Sequence, residues 1–183
     1  LFVFFFLDAA LMLAAKSNHT EIVALLLASG ATANTRKVQG WSALMSSAYG
    51  GHCAVVRQLI AAGADVTQRD AHGVTAFMAC CQQGSMAVSA TLLAAGVDIN
   101  ECKADGVTPL MLATRNSHHT LVQFLIANGA DVNAVTKEAW TCVMSAACSG
   151  DRRMVELLIN AGADINAATA DGVTALMAAA QVK

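Results

Sequence analysis

Proline and tyrosine are almost missing from this 183-residue chain, which has one of each. One proline leaves no basis for a Pro-rich linker or recognition segment. One tyrosine, within an aromatic content of only 5%, gives no platform on which nucleic-acid bases could stack. Charge is scarce too, at 13% of residues with a net value of −2. Such a chain lacks both the basic footprint of a nucleic-acid binder and the polybasic patch of a membrane-surface protein. The apolar opening, Leu1 to Leu7, reads LFVFFFL. It is far shorter than the roughly 20 residues that cross a bilayer. It reads as a hydrophobic cap, as sequence foreign to the mature protein, or as the tail of a longer apolar segment, since no methionine precedes it. No Ser-His-Asp order, GxSxG, phosphate-binding loop or dinucleotide fingerprint is present.

Six cysteines are present, Cys53, Cys80, Cys81, Cys102, Cys142 and Cys148, without a CxxC pair or a Cys/His cluster at zinc spacing. Free thiols in a reducing cytoplasm or nucleus are therefore expected. The 56% hydrophobic content is rich in alanine, as closely packed helices require.

What the chain does have is self-similarity. Gly30, Gly63, Gly96, Gly129 and Gly162 recur at one spacing of about 33 residues. Gly40, Gly73, Gly106 and Gly172 keep the same period, with Ala139 in the remaining place. Met12, Met45, Met78, Met111, Met144 and Met177 follow it as well. Ser42, Thr75, Thr108, Thr141 and Thr174 precede apolar runs and supply N-cap hydroxyls. Pro109 directly follows its cap, at the first helical position, where a missing N–H is harmless. A short alanine-rich inner helix, a turn near Ser117, and a second helix with Leu121, Val122, Leu125 and Ile126 on one face complete a unit. Gly129 then ends that helix in the left-handed C′ position. The fold class predicted is all-α: stacked helix-turn-helix units.

Gly-Val-Thr-Pro-Leu-Met at 106–111 and Gly-Ala-Asp-Val-Asn at 129–133 resemble the ankyrin repeat. The resemblance runs from about Ala9 to the end of the chain. It implies an ankyrin-type solenoid with β-hairpin loops, as a single domain over 1–183. Its units are a partial repeat at 9–35, full repeats at 36–68, 69–101, 102–134 and 135–167, and a partial repeat at 168–183. The family's usual histidine in TPLH is methionine in every unit here, which removes its hydrogen bonds and substitutes packing. A methionine-lined metal or haem site fails on distance, because sulfurs one repeat apart would be about 10 Å from each other. Repeat one has Leu7 where a hairpin glycine belongs. Lys183 falls just after the inner helix of repeat six, which reads as a fragment boundary.

No catalytic, cofactor or metal residue is predicted, and the chain is not expected to be an enzyme. His19, His52 and His118 share a register in the turn between the two helices and read as structural. Cys80 and Cys81 read as core, and Cys148 as a more exposed thiol. Asp65, Asp98, Asp131 and Asp164 fall once per repeat and are expected to bond local amides; Asn100, Asn133 and Asn166 also read as structural.

The resemblance implies a partner protein docking on the concave side, on hairpin tips and inner helices. The register places Val38, Gln39, Trp41 and Tyr49 there in repeat two. It adds His72, Val74 and Gln82 in repeat three, Asp105, Val107 and Arg115 in repeat four, and Lys137, Glu138 and Trp140 in repeat five. Trp41 and Trp140 occupy one repeat position about 30 Å apart by helix-packing distances, as binding anchors or as braces of their own hairpins. The function expected is a monomeric intracellular protein-interaction module without nucleic acid, membrane or cofactor. The alternative is a regulatory or targeting repeat domain of a larger enzyme or membrane protein.

Overall fold

The structure, a computed structural model, describes residues 2–37 and 39–180, with the side chains of residues 2–6 left out. The expectations attached to Val38 and to the side chains of residues 1–6 lie outside the described residues. Eleven helices are found among the described residues, all in inner–outer alternation. The inner helices are α1 (Phe2–Lys16), α3 (Ala43–Tyr49), α5 (Ala76–Gln83), α7 (Pro109–Arg115), α9 (Cys142–Cys148) and α11 (Ala175–Ala180). The outer helices are α2 (Thr20–Ala28), α4 (Cys53–Ala61), α6 (Met86–Ala94), α8 (His119–Ala127) and α10 (Arg152–Asn160). No sheet forms among the described residues; isolated antiparallel bridges join Arg36 to Ser42 and Ala168 to Thr174.

The chain divides into two compact units, Leu1–Val97 and Asp98–Lys183. In the first, α1 packs on α2 and α3, α3 on α4 and α5, and α5 on α6, while α4 lies between α2 and α6. In the second, α7 packs on α8 and α9, α9 on α10 and α11, and α8 beside α10. Helices this short are marginal alone, so neighbour packing holds them. The first core includes Leu11, Leu44, Leu59, Phe77, Met78 and Leu92; the second, Leu110, Leu121, Leu125, Met144, Met154 and Leu158. Each such side chain contributes about 1.5–3 kcal/mol by leaving water.

The period of the sequence has a local cause at each position. The hydroxyls of Ser42, Thr75, Thr108 and Thr141 accept the amides of Met45, Met78, Met111 and Met144 at 3.2, 3.1, 3.3 and 3.3 Å. Thr174 does the same for Met177 at 3.5 Å. These methionine side chains are buried, apart from Met177, which is exposed. Thioether packing therefore fills the place of the family's histidine, and the cap hydroxyl takes up the backbone amide. The loops ahead of the inner helices close on two backbone bonds each. In one, Lys103 N donates to Val107 O and Gly106 N to Lys103 O.

Repeat one departs from this plan. Its inner helix runs 15 residues, from Phe2, so helix occupies the register in which later units have a hairpin. Asp8, the counterpart of Trp41, uses both carboxylate oxygens to hold the following loop. Oδ1 accepts Thr32 N at 2.7 Å and Oδ2 accepts Thr35 Oγ1 at 2.8 Å.

Candidate interaction surface

Much of the surface has scaffold duties, and removing those residues leaves the candidate site. Asp65, Asp98, Asp131 and Asp164 each accept the amide two residues on, at 2.9 Å in every case. The Thr67 hydroxyl and amide hold the Asp65 carboxyl below the usual carboxylate range, against the small opposing effect of burial. Asn34, Asn100 and Asn133 bridge consecutive units with both ends of the amide. Asn133 Nδ2, for example, donates to Gly162 O at 3.1 Å while its Oδ1 accepts Asp164 N at 2.8 Å. Thr67 stands where these asparagines would continue, and its hydroxyl turns to Asp65. The Asn166 backbone N–H donates to Asp164 Oδ1.

The helix-turn histidines share one place in the repeat. His19, His52 and His118 occupy the N-cap positions of α2, α4 and α8 without capping through their side chains. The ring of His52 reaches back to Lys16 O at 3.0 Å. None of the six cysteines is in a disulfide: Cys80, Cys81 and Cys142 are buried, Cys53 is half-buried, and Cys102 and Cys148 are exposed. Burial pushes the Cys142 thiol up to about 12, with Asp131 adding to the effect and a Thr114 hydrogen bond opposing it. No cluster of three or more His, Cys, Asp or Glu with metal-holding geometry occurs among the described residues.

The candidate residues fall on the hairpins and inner helices of both units. In the first unit Gln39 and His72 are exposed, Trp41, Val74 and Gln82 are half-buried, and Tyr49 is exposed on the last turn of α3. Trp41 and Tyr49 meet edge to face, with ring centroids 6.3 Å apart and planes at 72°. That contact fixes the indole from one side. A cavity of about 780 Å³ lies beside it, among Asp8, Met12, Leu13, Lys37, Gln39 and Trp41. It occupies the space between α1 and the hairpin of repeat two, where α1 has replaced the hairpin that would face it.

In the second unit Arg115, Lys137 and Glu138 are exposed, and Asp105, Val107 and Trp140 are half-buried. The Trp140 indole N–H donates to Ser145 Oγ at 2.8 Å, which ties the ring to its own inner helix. A small cleft of about 170 Å³ gathers Val107, Arg115, Glu138 and Trp140 around Met111 and Ser145. Lys103 pairs with Asp105 at 2.9 Å. That hydrogen bond, together with the Val107 amide, holds the Asp105 carboxyl below its usual range despite some burial. Sequence reasoning missed Asp8, Met12 and Leu13 as cavity walls; the available signal was an aspartate in the register of Trp41. It also missed Ser145, whose pairing with Trp140 depends on one helical turn bringing the two together.

Capped inner helices, amphipathic outer helices and hairpin loops repeated in one register define a helical repeat protein. A family model for ankyrin repeats matches in 3 copies, over residues 6–70, 63–136 and 118–183. The chain belongs to the ankyrin-repeat family. Ankyrin repeats are generally protein–protein interaction modules and typically non-enzymatic. No curated protein sequence matches the chain.

Proposed function

We propose that the chain is a protein-interaction module that grips a partner protein through its hairpin tips and inner helices, with Trp41, Tyr49 and Trp140 as aromatic anchors. One observation carries this reading: the division of labour along the repeat. The caps, loop aspartates and bridging asparagines are spent on the scaffold, whereas exposed Gln39 lies beside half-buried Trp41, exposed Arg115 and Glu138 lie beside half-buried Trp140, and His72 and Lys137 are exposed on their hairpins. Aromatic side chains with one face free and one edge braced lose little rotamer entropy on docking, which is why they serve as interface hot spots. Six cysteines outside any disulfide fit a reducing compartment as the place of action.

The test is affinity capture with wild-type chain and with Trp41→Ala and Trp140→Ala, comparing retained proteins by quantitative mass spectrometry. The expected outcome is a partner held by wild type and depleted in at least one variant whose helical circular dichroism is unchanged. Unfolding of both variants, or a partner retained equally by wild type and every folded variant, refutes the anchor assignment.

A further inference from the structure

We propose that the cavity beside Trp41 in the first unit takes an acidic segment of a partner protein, one that inserts an apolar side chain and sets carboxylates against Arg36 and Lys37. This rests on the protein-binding reading and adds the chemistry of the partner.

The cavity has the size of a ligand site, its roughly 780 Å³ falling within the usual range of about 300–1,000 Å³. Its walls include Met12, Trp41 and Leu13, and Leu13 is 60% exposed, so an apolar side chain entering there would remove that surface from water.

The charged residues lining the cavity are Asp8, Arg36 and Lys37, a net cation, and the surplus at Lys37 has a reason visible in the register. Lys37 and Lys103 are equivalent positions two repeats apart. Lys103 is neutralised by Asp105, two residues on, at 2.9 Å. The residue two on from Lys37 is Gln39, which carries no charge to offer, and both Lys37 and Gln39 are exposed. The position before the lysine repeats the contrast. The first unit has Arg36 and Arg69 there, and the second has Cys102, Val135 and Ala168. At the glutamine position the first unit has Gln39 and His72, and the second has Asp105, Glu138 and Asp171. Over 36–41 and 69–74 the first unit has three cations, Arg36, Lys37 and Arg69, against the single carboxylate of Asp70, whereas the second unit's hairpins set Lys103 and Lys137 against Asp105, Glu138 and Asp171; the first is net basic and the second close to neutral.

The carboxylates near the first unit's hairpins are hydrogen-bonded to neutral groups and keep their charge, and Arg36 acts on one of them, Asp65, through its charge. Asp8 holds Thr32 and Thr35. Asp65 holds Thr67. Asp70 Oδ1 accepts the amides of His72 and Val74, both at 2.8 Å. Arg36 gives one guanidinium nitrogen to Arg69 O at 3.4 Å and acts through its charge on Asp65; its planar fork has further N–H groups that suit a carboxylate. So few cations around an apolar pocket fit a short acidic-apolar peptide. Nucleic acid draws its affinity from many phosphate contacts.

The experiment titrates the full chain with three fluorescein-labelled decapeptides, measured by anisotropy at low and high salt. Each has a central Leu-Phe pair, flanked by glutamates, by glutamines or by lysines. The glutamate peptide is expected to bind about tenfold tighter than the glutamine peptide at low salt and to lose most of that margin in 1 M salt, where the Debye length is about 3 Å. The double variant R36E/K37E, and the milder Lys37→Ala should the first misfold, should erase the glutamate preference. Trp41→Ala should weaken the glutamate and glutamine peptides together. Equal binding of those two, with both lost in Trp41→Ala, overturns the acidic assignment and leaves the protein-binding reading standing. A preference for the lysine peptide, a glutamate preference untouched by the charge variants, or no binding by any peptide also overturns it. So does a labelled oligothymidylate that binds tighter than the glutamate peptide.

Discussion

The imidazole of His119 and the carboxylate of Asp151 meet at 2.9 Å, Nε2 to Oδ1, although 32 positions separate them in the chain. His119 opens α8 and Asp151 caps α10, where the same Oδ1 accepts Met154 N at 3.0 Å. One carboxylate oxygen thus closes a helix and ties it to the preceding repeat. Burial by itself would raise the Asp151 carboxyl; the bonds from His119, Met154 and Ser117 outweigh it and bring the group below the ordinary aspartate value.

A depressed carboxylate contributes stability that is complete above its unfolded value of about 3.9 and is lost as pH falls through the lower folded value. Asp151→Asn keeps a cap acceptor but removes this titration. Its melting temperature should fall less steeply than that of wild type between about pH 5 and pH 2. Asp151→Ala should also lose about 1 kcal/mol at neutral pH through the missing cap. Identical acid melting profiles for wild type and Asp151→Asn would refute the assignment.

Ala139 has φ of 58°, in the register where Gly40, Gly106 and Gly172 have φ of 81°, 86° and 76°. Ala139→Gly should stabilise the protein by about 1 kcal/mol, the cost of a left-handed residue with a Cβ. Gly106→Ala should do the reverse and by more, about 2–3 kcal/mol. Its new Cβ would lie 2.9 Å from both Thr136 Cα and Val135 O. Urea denaturation with a fixed m-value checks both signs.

The bond from Trp140 Nε1 to Ser145 Oγ makes Ser145→Ala more harmful than an ordinary serine truncation. Leaving a part-buried indole N–H unpaired should cost about 1–2 kcal/mol. The double variant Trp140→Phe/Ser145→Ala should recover part of that loss relative to the sum of the single changes. Strict additivity in the cycle would mean that the bond contributes nothing.

Alkylation should follow exposure and thiol acidity together. Iodoacetamide at pH 8 should label Cys102 and Cys148 on the native protein within minutes and leave Cys80, Cys81 and Cys142 unmodified until denaturant is added. Peptide mass spectrometry reads the order. Early labelling of Cys142 would contradict the burial that drives its thiol to about 12.

The sequence by itself determined the repeat. N-cap hydroxyls, Pro109, the helix-ending glycines and the periodic methionines are constraints within one unit, acting over a few residues, so spacing alone reveals them. Asp65, Asp131 and Asp164 were legible for the same reason, since each bonds an amide two positions away. Only the tertiary structure decided what depends on packing between units. It brought His119 to Asp151, gave Asp8 the loop of Thr32 to Thr35, and opened the cavity beside Trp41 by running helix through the place of a hairpin. Such relationships join atoms a full repeat apart, and no local periodicity encodes them.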